Sequence, residues 1–163
     1  MTELRGSQSA AGCRFAIVVS RFNEEVTERL LTGARQALNA ASVRDEDVTV
    51  LRVPGAFEIP VAARRAAETG QFDAIVCIGC LIKGETMHFE YIASAASHGI
   101  AEAASATGVP MALGVLTTLT DEQAMERAAD GPANKGWEAA MAAVEMATLL
   151  RQLDGHDRRR RTS

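Results

Sequence analysis

Four short apolar runs, separated by segments of helical periodicity, constrain this chain more than any other feature. The runs are RFAIVVS from Arg14, VTVLRVPG from Val48, DAIVCIGCLI from Asp73 and VPMALGVLTT from Val109. Each is short, apolar and rich in β-branched residues, the pattern of a buried strand. Between the first two, residues 24–40 place Val26, Leu30, Leu31, Ala34 and Leu38 at helical spacing. EIPVAARRAAETG is helix-compatible and ends at Gly70, a C-cap residue. An alanine-rich helix is expected from about Met87 to Ala106, a short one near Asp121–Ala128, and a long one from Asn134 to Leu153. Strands alternating with helices pair in parallel through right-handed crossovers, with helices covering both faces of the sheet. The expectation is therefore a three-layer α/β/α sandwich around a four-stranded parallel sheet. Residues 14–153 form its single domain, preceded by an N-terminal arm (1–13) and followed by a basic, disordered tail (154–163).

Composition narrows the function classes. The chain has 163 residues and is 47% apolar but only 4% aromatic, so alanine and aliphatic side chains must carry the packing. A net charge of −4 argues against nucleic-acid binding, which calls for a basic patch on the folded domain. The one basic run, Arg158–Arg161, reads as a solvated tail. No apolar segment approaches the length of a membrane span, and the polar start MTELRGSQSAAG lacks the apolar core of a signal peptide. A cytoplasmic protein with reduced cysteines is expected. Cys77 and Cys80 form a C-x-x-C, but on a strand residues three apart point to opposite faces, so no metal site is expected there.

In such folds ligands bind beyond the carboxyl ends of the strands. The segments there are SRFN, VPGAFE, CLIKGETMH and LTTLTDEQ. GCLIKGET nearly spells a nucleotide-phosphate loop, but Glu85 stands where the lysine belongs and would repel a triphosphate. The loop keeps its backbone N–H groups, the Thr86 hydroxyl and the positive end of the following helix, which suit a single phosphate. Arg127 is a candidate counter-charge, since arginine grips phosphate bidentately. His88, in the first turn beyond the loop, is a candidate proton-transfer residue. His98 reads as an ordinary helix-surface histidine, and His156 belongs to the tail. Phe22 and Phe57 each follow a strand, where they offer an apolar platform for a planar heterocycle. Glu58 is placed to accept hydrogen bonds from hydroxyls, although a helix N-terminal carboxylate favoured by the dipole is an equally simple reading.

Five blocks, SRFN, VPGAFEIP, IGCLIKGETMHFEYI, GVLTTLTDEQAMERA and NKGWEAAMAAVEM, resemble in order and spacing the signature blocks of the lumazine synthase family, from about Arg14 to Leu153. The resemblance implies a flavodoxin-like fold and the condensation of 5-amino-6-(D-ribitylamino)uracil with 3,4-dihydroxy-2-butanone 4-phosphate, a step of riboflavin biosynthesis that needs no cofactor. It implies roles residue by residue. Phe22 stacks on the pyrimidine, and Ala56, Phe57 and Glu58 line the ribityl chain. Cys80, Leu81 and Ile82 present backbone atoms to the pyrimidine edge. Glu85, Thr86 and Arg127 hold the phosphate, His88 moves the proton, and Lys135 lies near the heterocycle. Leu113 stands where the family commonly has phenylalanine, packing on the heterocycle from a neighbouring subunit. Trp137 is bulkier than usual at its place. The resemblance further implies a homopentamer. A sixty-subunit shell of twelve pentamers is sterically permitted, because RAADGPANKG carries no insertion, and riboflavin synthase is an implied partner. A non-catalytic flavin- or lumazine-binding or shell-forming paralogue on the same scaffold is the alternative.

Overall fold

A computed structural model describes the backbone of residues 1–161 and the side chains through Gly155. The four apolar runs are strands β1 (Phe15–Ser20), β2 (Val48–Val53), β3 (Ala74–Ile82) and β4 (Met111–Thr118). They form one parallel sheet in the order β2-β1-β3-β4. Helices α1 (Glu24–Ala40), α2 (Ile59–Glu68), α3 (His88–Thr107), α4 (Asp121–Arg127) and α5 (Lys135–Arg161) cover it, with a 3-10 turn at Ala56–Glu58 leading into α2. This is the expected three-layer, flavodoxin-like arrangement. Gly70, at φ +70°, ends the turn after α2 as a left-handed residue, the conformation for which glycine is suited.

Side-chain alternation divides the core in two. Phe15, Ile17 and Val19 of β1, with Val76, Ile78 and Cys80 of β3, pack against α1 and α5. Ala16 and Val18, with Ile75, Cys77 and Leu81, pack against α2 and α3. Cys77 and Cys80 therefore lie on opposite sides of the sheet and cannot share an ion. Among the described residues no group of three or more histidine, cysteine or acidic side chains is placed to hold a metal, and no helix is long and apolar enough to cross a membrane.

The start of α5 is fixed by Asn134, which is 2% exposed. Its Nδ2 donates to the carbonyls of Arg29 and Ala128, and its Oδ1 accepts from the N–H groups of Gly136 and Trp137. A buried amide satisfied on both ends pins the α4–α5 turn to α1. Gly136 completes the contact, since a Cβ there would lie 1.9 Å from the carbonyl oxygen of Leu30. The NKG of the sequence is thus a helix cap followed by a close crossing.

One feature differs from the sequence expectation. The helix α5 continues to Arg161, past Leu153, and so takes in most of the segment expected to be a disordered tail. The side chains of residues 156–163, including the basic run and His156, lie outside the described residues. Arginine is among the better helix formers, and Gly155 costs only about 1 kcal/mol in a helix. The N-terminal arm, for its part, lies along α5. Ser7 N–H donates to Thr148 Oγ1 at 2.8 Å, Gln152 Nε2 donates to the Arg5 carbonyl at 2.6 Å, and Arg151 bridges the Gly12 carbonyl and Asp73.

Candidate active site

The strand order decides where a ligand can enter. The chain leaves β1 for its neighbour on one side (β2) and leaves β3 for its neighbour on the other (β4). The connections beyond β1 and β3 diverge, which opens a crevice at their carboxyl ends. A cleft of about 610 Å³ lies there, lined by Phe22 after β1, by Pro54 to Glu58 after β2, and by Leu81, Ile82, Gly84, Thr86, His88, Phe89 and Ile92 around the start of α3.

Local bonding holds the aromatic walls in place. The N–H groups of Arg21 and Phe22 donate to the Val53 and Pro54 carbonyls at 2.9 and 3.1 Å, extending the β1–β2 ladder beyond the strands. Asn23 then turns left-handed (φ 59°), a conformation asparagine tolerates, and its Nδ2 donates to the Cys80 carbonyl at 2.9 Å. The chain reverses into α1 and Phe22 is left standing out, 66% exposed, with Phe57 opposite at 59%. Large aromatic faces held in solvent at a cleft mouth cost hydrophobic free energy until something flat covers them. Glu58 is half-buried on the floor. Its Oε2 lies 3.2 Å from where a Cβ on Gly55 would be, so glycine leaves the carboxylate its space.

Residues 83–87 cross from β3 to α3. Lys83 N–H donates to the Thr118 carbonyl at 2.8 Å, which anchors the start of the crossing. Among the described residues the N–H groups of Gly84, Glu85, Thr86 and Met87 have no acceptor, and the Thr86 hydroxyl has only a long 3.4 Å contact from the His88 N–H. These donors lie ahead of a 20-residue helix, whose N-terminal end adds partial positive charge. The result is a polar rim suited to an anion, beside the exposed imidazole of His88.

The site residues expected from sequence fall into two sets. Phe22, Ala56, Phe57, Glu58, Leu81, Ile82, Thr86 and His88 line the cleft, and Glu85 lies in the crossing segment at its rim. Cys80 turns its thiol into the core on the far side of the sheet and does not line the cleft, while its carbonyl accepts from Asn23. Leu113, Arg127 and Lys135 line a second depression of about 430 Å³ along the outer edge of β4, between that strand, α4 and α5. Within one chain the two sets do not meet. Leu113 is 56% exposed on the edge strand. Among the described residues Arg127 bonds only the Gln123 carbonyl of its own helix, and Lys135 pairs with Glu138 at 2.8 Å. Sequence reasoning passed over Asn23, Gly55, Phe89 and Ile92. Helical spacing was the available signal for the last, since Ile92 is one turn from His88 and shares its face.

Comparison with known proteins follows the same lines. The family described as 6,7-dimethyl-8-ribityllumazine synthase matches residues 12–151. A protein of that name from Syntrophus aciditrophicus (strain SB) is 51% identical over 152 residues, covering 93% of this chain and 99% of the relative. Another of that name, from Desulfatibacillum aliphaticivorans, is 48% identical over 149 residues, covering 91% and 96%.

Proposed function

Because the chain belongs to the 6,7-dimethyl-8-ribityllumazine synthase family, we propose that it condenses 5-amino-6-(D-ribitylamino)uracil with 3,4-dihydroxy-2-butanone 4-phosphate, releasing phosphate and two waters. The observation that carries this reading is the cleft itself. Two exposed phenylalanines, a carboxylate on the floor, a row of free backbone donors and an imidazole are grouped within one 610 Å³ space. The planar pyrimidine stacks on Phe22, and its ribityl hydroxyls donate to Glu58. The butanone phosphate is held by the N–H groups of residues 84–87 and the Thr86 hydroxyl.

The chemistry then asks mainly for position. The substrate amine attacks the ketone and water leaves as an imine forms. Phosphate departs, and the ring closes with loss of the second water. Holding two reactants in line supplies on the order of 7–11 kcal/mol in favourable cases. His88, at the edge of the phosphate rim, takes and returns the protons, a contribution of roughly 10²–10⁴-fold.

The same reading explains the second depression. A site completed by a neighbouring subunit brings that subunit's β4 edge against the cleft. Leu113 then covers the heterocycle, Arg127 meets the phosphate and Lys135 approaches the ring. On this reading a C5 pentamer is the smallest active unit, the shell of twelve pentamers is its further assembly, and the protein works in the cytoplasm. Mixing both substrates with purified protein and following lumazine absorbance and phosphate release tests the activity. Absence of both products overturns it in favour of a binding or shell-forming paralogue. Light scattering tests the shared site, which a fully active monomer overturns.

A further inference from the structure

Trp137 is the single tryptophan of the chain, and it lines neither depression of the candidate site. It lines a third one of about 560 Å³, between the N-terminal arm, the end of α1 and the outer face of α5. Pro132, Trp137 and Met141 make an apolar floor, with Glu138 and Glu145 at the rim. Glu138 is shared with Lys135, whereas Glu145 has no ion-pair partner among the described residues. Ala40 brings the C-terminal end of α1 to the same place. That end carries the negative pole of the helix, and its last turn contains no basic residue to offset it.

A free carboxylate, a helix C-terminus and an indole beside them select one kind of group. It is a flat cation that stacks and pairs at once, which describes arginine better than lysine. The chain carries a concentrated source in Arg158–Arg161. That run cannot reach its own groove. Glu145 and Arg158 belong to one continuous helix, whose rise of 1.5 Å per residue sets them about 20 Å apart along its axis. The run of another copy has no such constraint. We infer that the C-terminal arginine run of one copy docks in the Trp137–Glu145 groove of a second copy. The basic run is then a tie between subunits, independent of the catalytic reading above.

Because Trp137 is the single tryptophan and lines the groove, its emission reports a change there. The comparison is between the full chain and a full-length variant carrying Arg158→Ser, Arg159→Ser, Arg160→Ser and Arg161→Ser. In the variant, Trp137 emission is expected to shift to the red and acrylamide quenching to rise. A synthetic peptide of residues 154–163 added to the variant should reverse both changes saturably, and added salt should weaken that reversal. The same peptide with its arginines replaced by serine should do nothing. Glu145→Gln, an exposed and nearly isosteric change, should by itself give the emission of the arginine-free variant. Identical emission and quenching in wild type and variant overturn the inference, as does a serine peptide that works as well as the native one.

Discussion

Replacing Gly136 by alanine tests the close crossing of α1 and α5. The new Cβ would sit 1.9 Å from the Leu30 carbonyl oxygen and 2.7 Å from its carbon. Ordinary contact for a carbon is about 3.5 Å, so α1 and α5 must part by more than an ångström. The obstacle is backbone inside a helix, and no rotamer change relieves it. Overpacking of this kind costs about 1–3 kcal/mol and occasionally more. Separation also weakens the bond from Asn134 to the Arg29 carbonyl, and a buried amide left unpaired costs about 1–3 kcal/mol. Helix propensity works the other way, favouring alanine by about 1 kcal/mol. The net expectation is a loss of about 1–5 kcal/mol, a large share of the roughly 5–15 kcal/mol that holds a domain together. Gly155→Ala is the matched control, since it lies in the same helix with nothing within 4 Å of its Cβ, and it should gain up to about 1 kcal/mol. Urea denaturation of both variants at one protomer concentration gives the comparison. If Gly136→Ala is as stable as Gly155→Ala, the crossing does not constrain α5 and the reasoning fails.

Further expectations concern the chemistry and the core. His88→Ala should lower single-turnover kcat by roughly 10²–10⁴-fold with little change in substrate binding; an unchanged rate removes it from proton transfer. Arg127→Ala should weaken binding of the butanone phosphate and leave the pyrimidine's affinity nearly intact in a titration. Equal losses for both would make it a structural residue. Asn23→Ala should lose about 1–3 kcal/mol in thermal unfolding, because alanine resists the left-handed turn and leaves the Cys80 carbonyl without its partner. Burial pushes the Cys77 thiol up to about 12 and, with a smaller contribution from the Asp121 carboxylate, the Cys80 thiol up to about 11, from an ordinary 9.0. The folded chain then keeps protons that the unfolded chain releases. Their contribution to stability is intact below pH 9 and declines as pH rises from there toward 11–12. Native protein at pH 8 should resist alkylation at both thiols and label fully in urea; labelling at the rate of a free thiol would refute their burial.

The legible part of this protein is what local periodicity governs. Apolar runs place all four strands, and a period of two alone sends Cys77 and Cys80 to opposite faces. The spacing of Val26, Leu30, Leu31, Ala34 and Leu38 marks α1 at the bounds it has, because a helix face is set by residues three and four apart. The strand-end segments that carry Phe22, Phe57 and His88 could be found for the same reason, as a parallel sheet must present them at one edge. Strand order is another matter, since it depends on which long-range pairings win, and order is what opens the crevice between β1 and β3. Periodicity likewise carries no sign that Leu113, Arg127 and Lys135 stand across the edge strand from the cleft rather than inside it. Asn134 reads in sequence as the first residue of a helix. Only the packed chain shows its amide joining the carbonyls of Arg29 and Ala128, residues brought together by the crossing of α1 and α5. Each of these was decided by contacts between distant segments, whose free energies become available only after the chain has closed around its sheet.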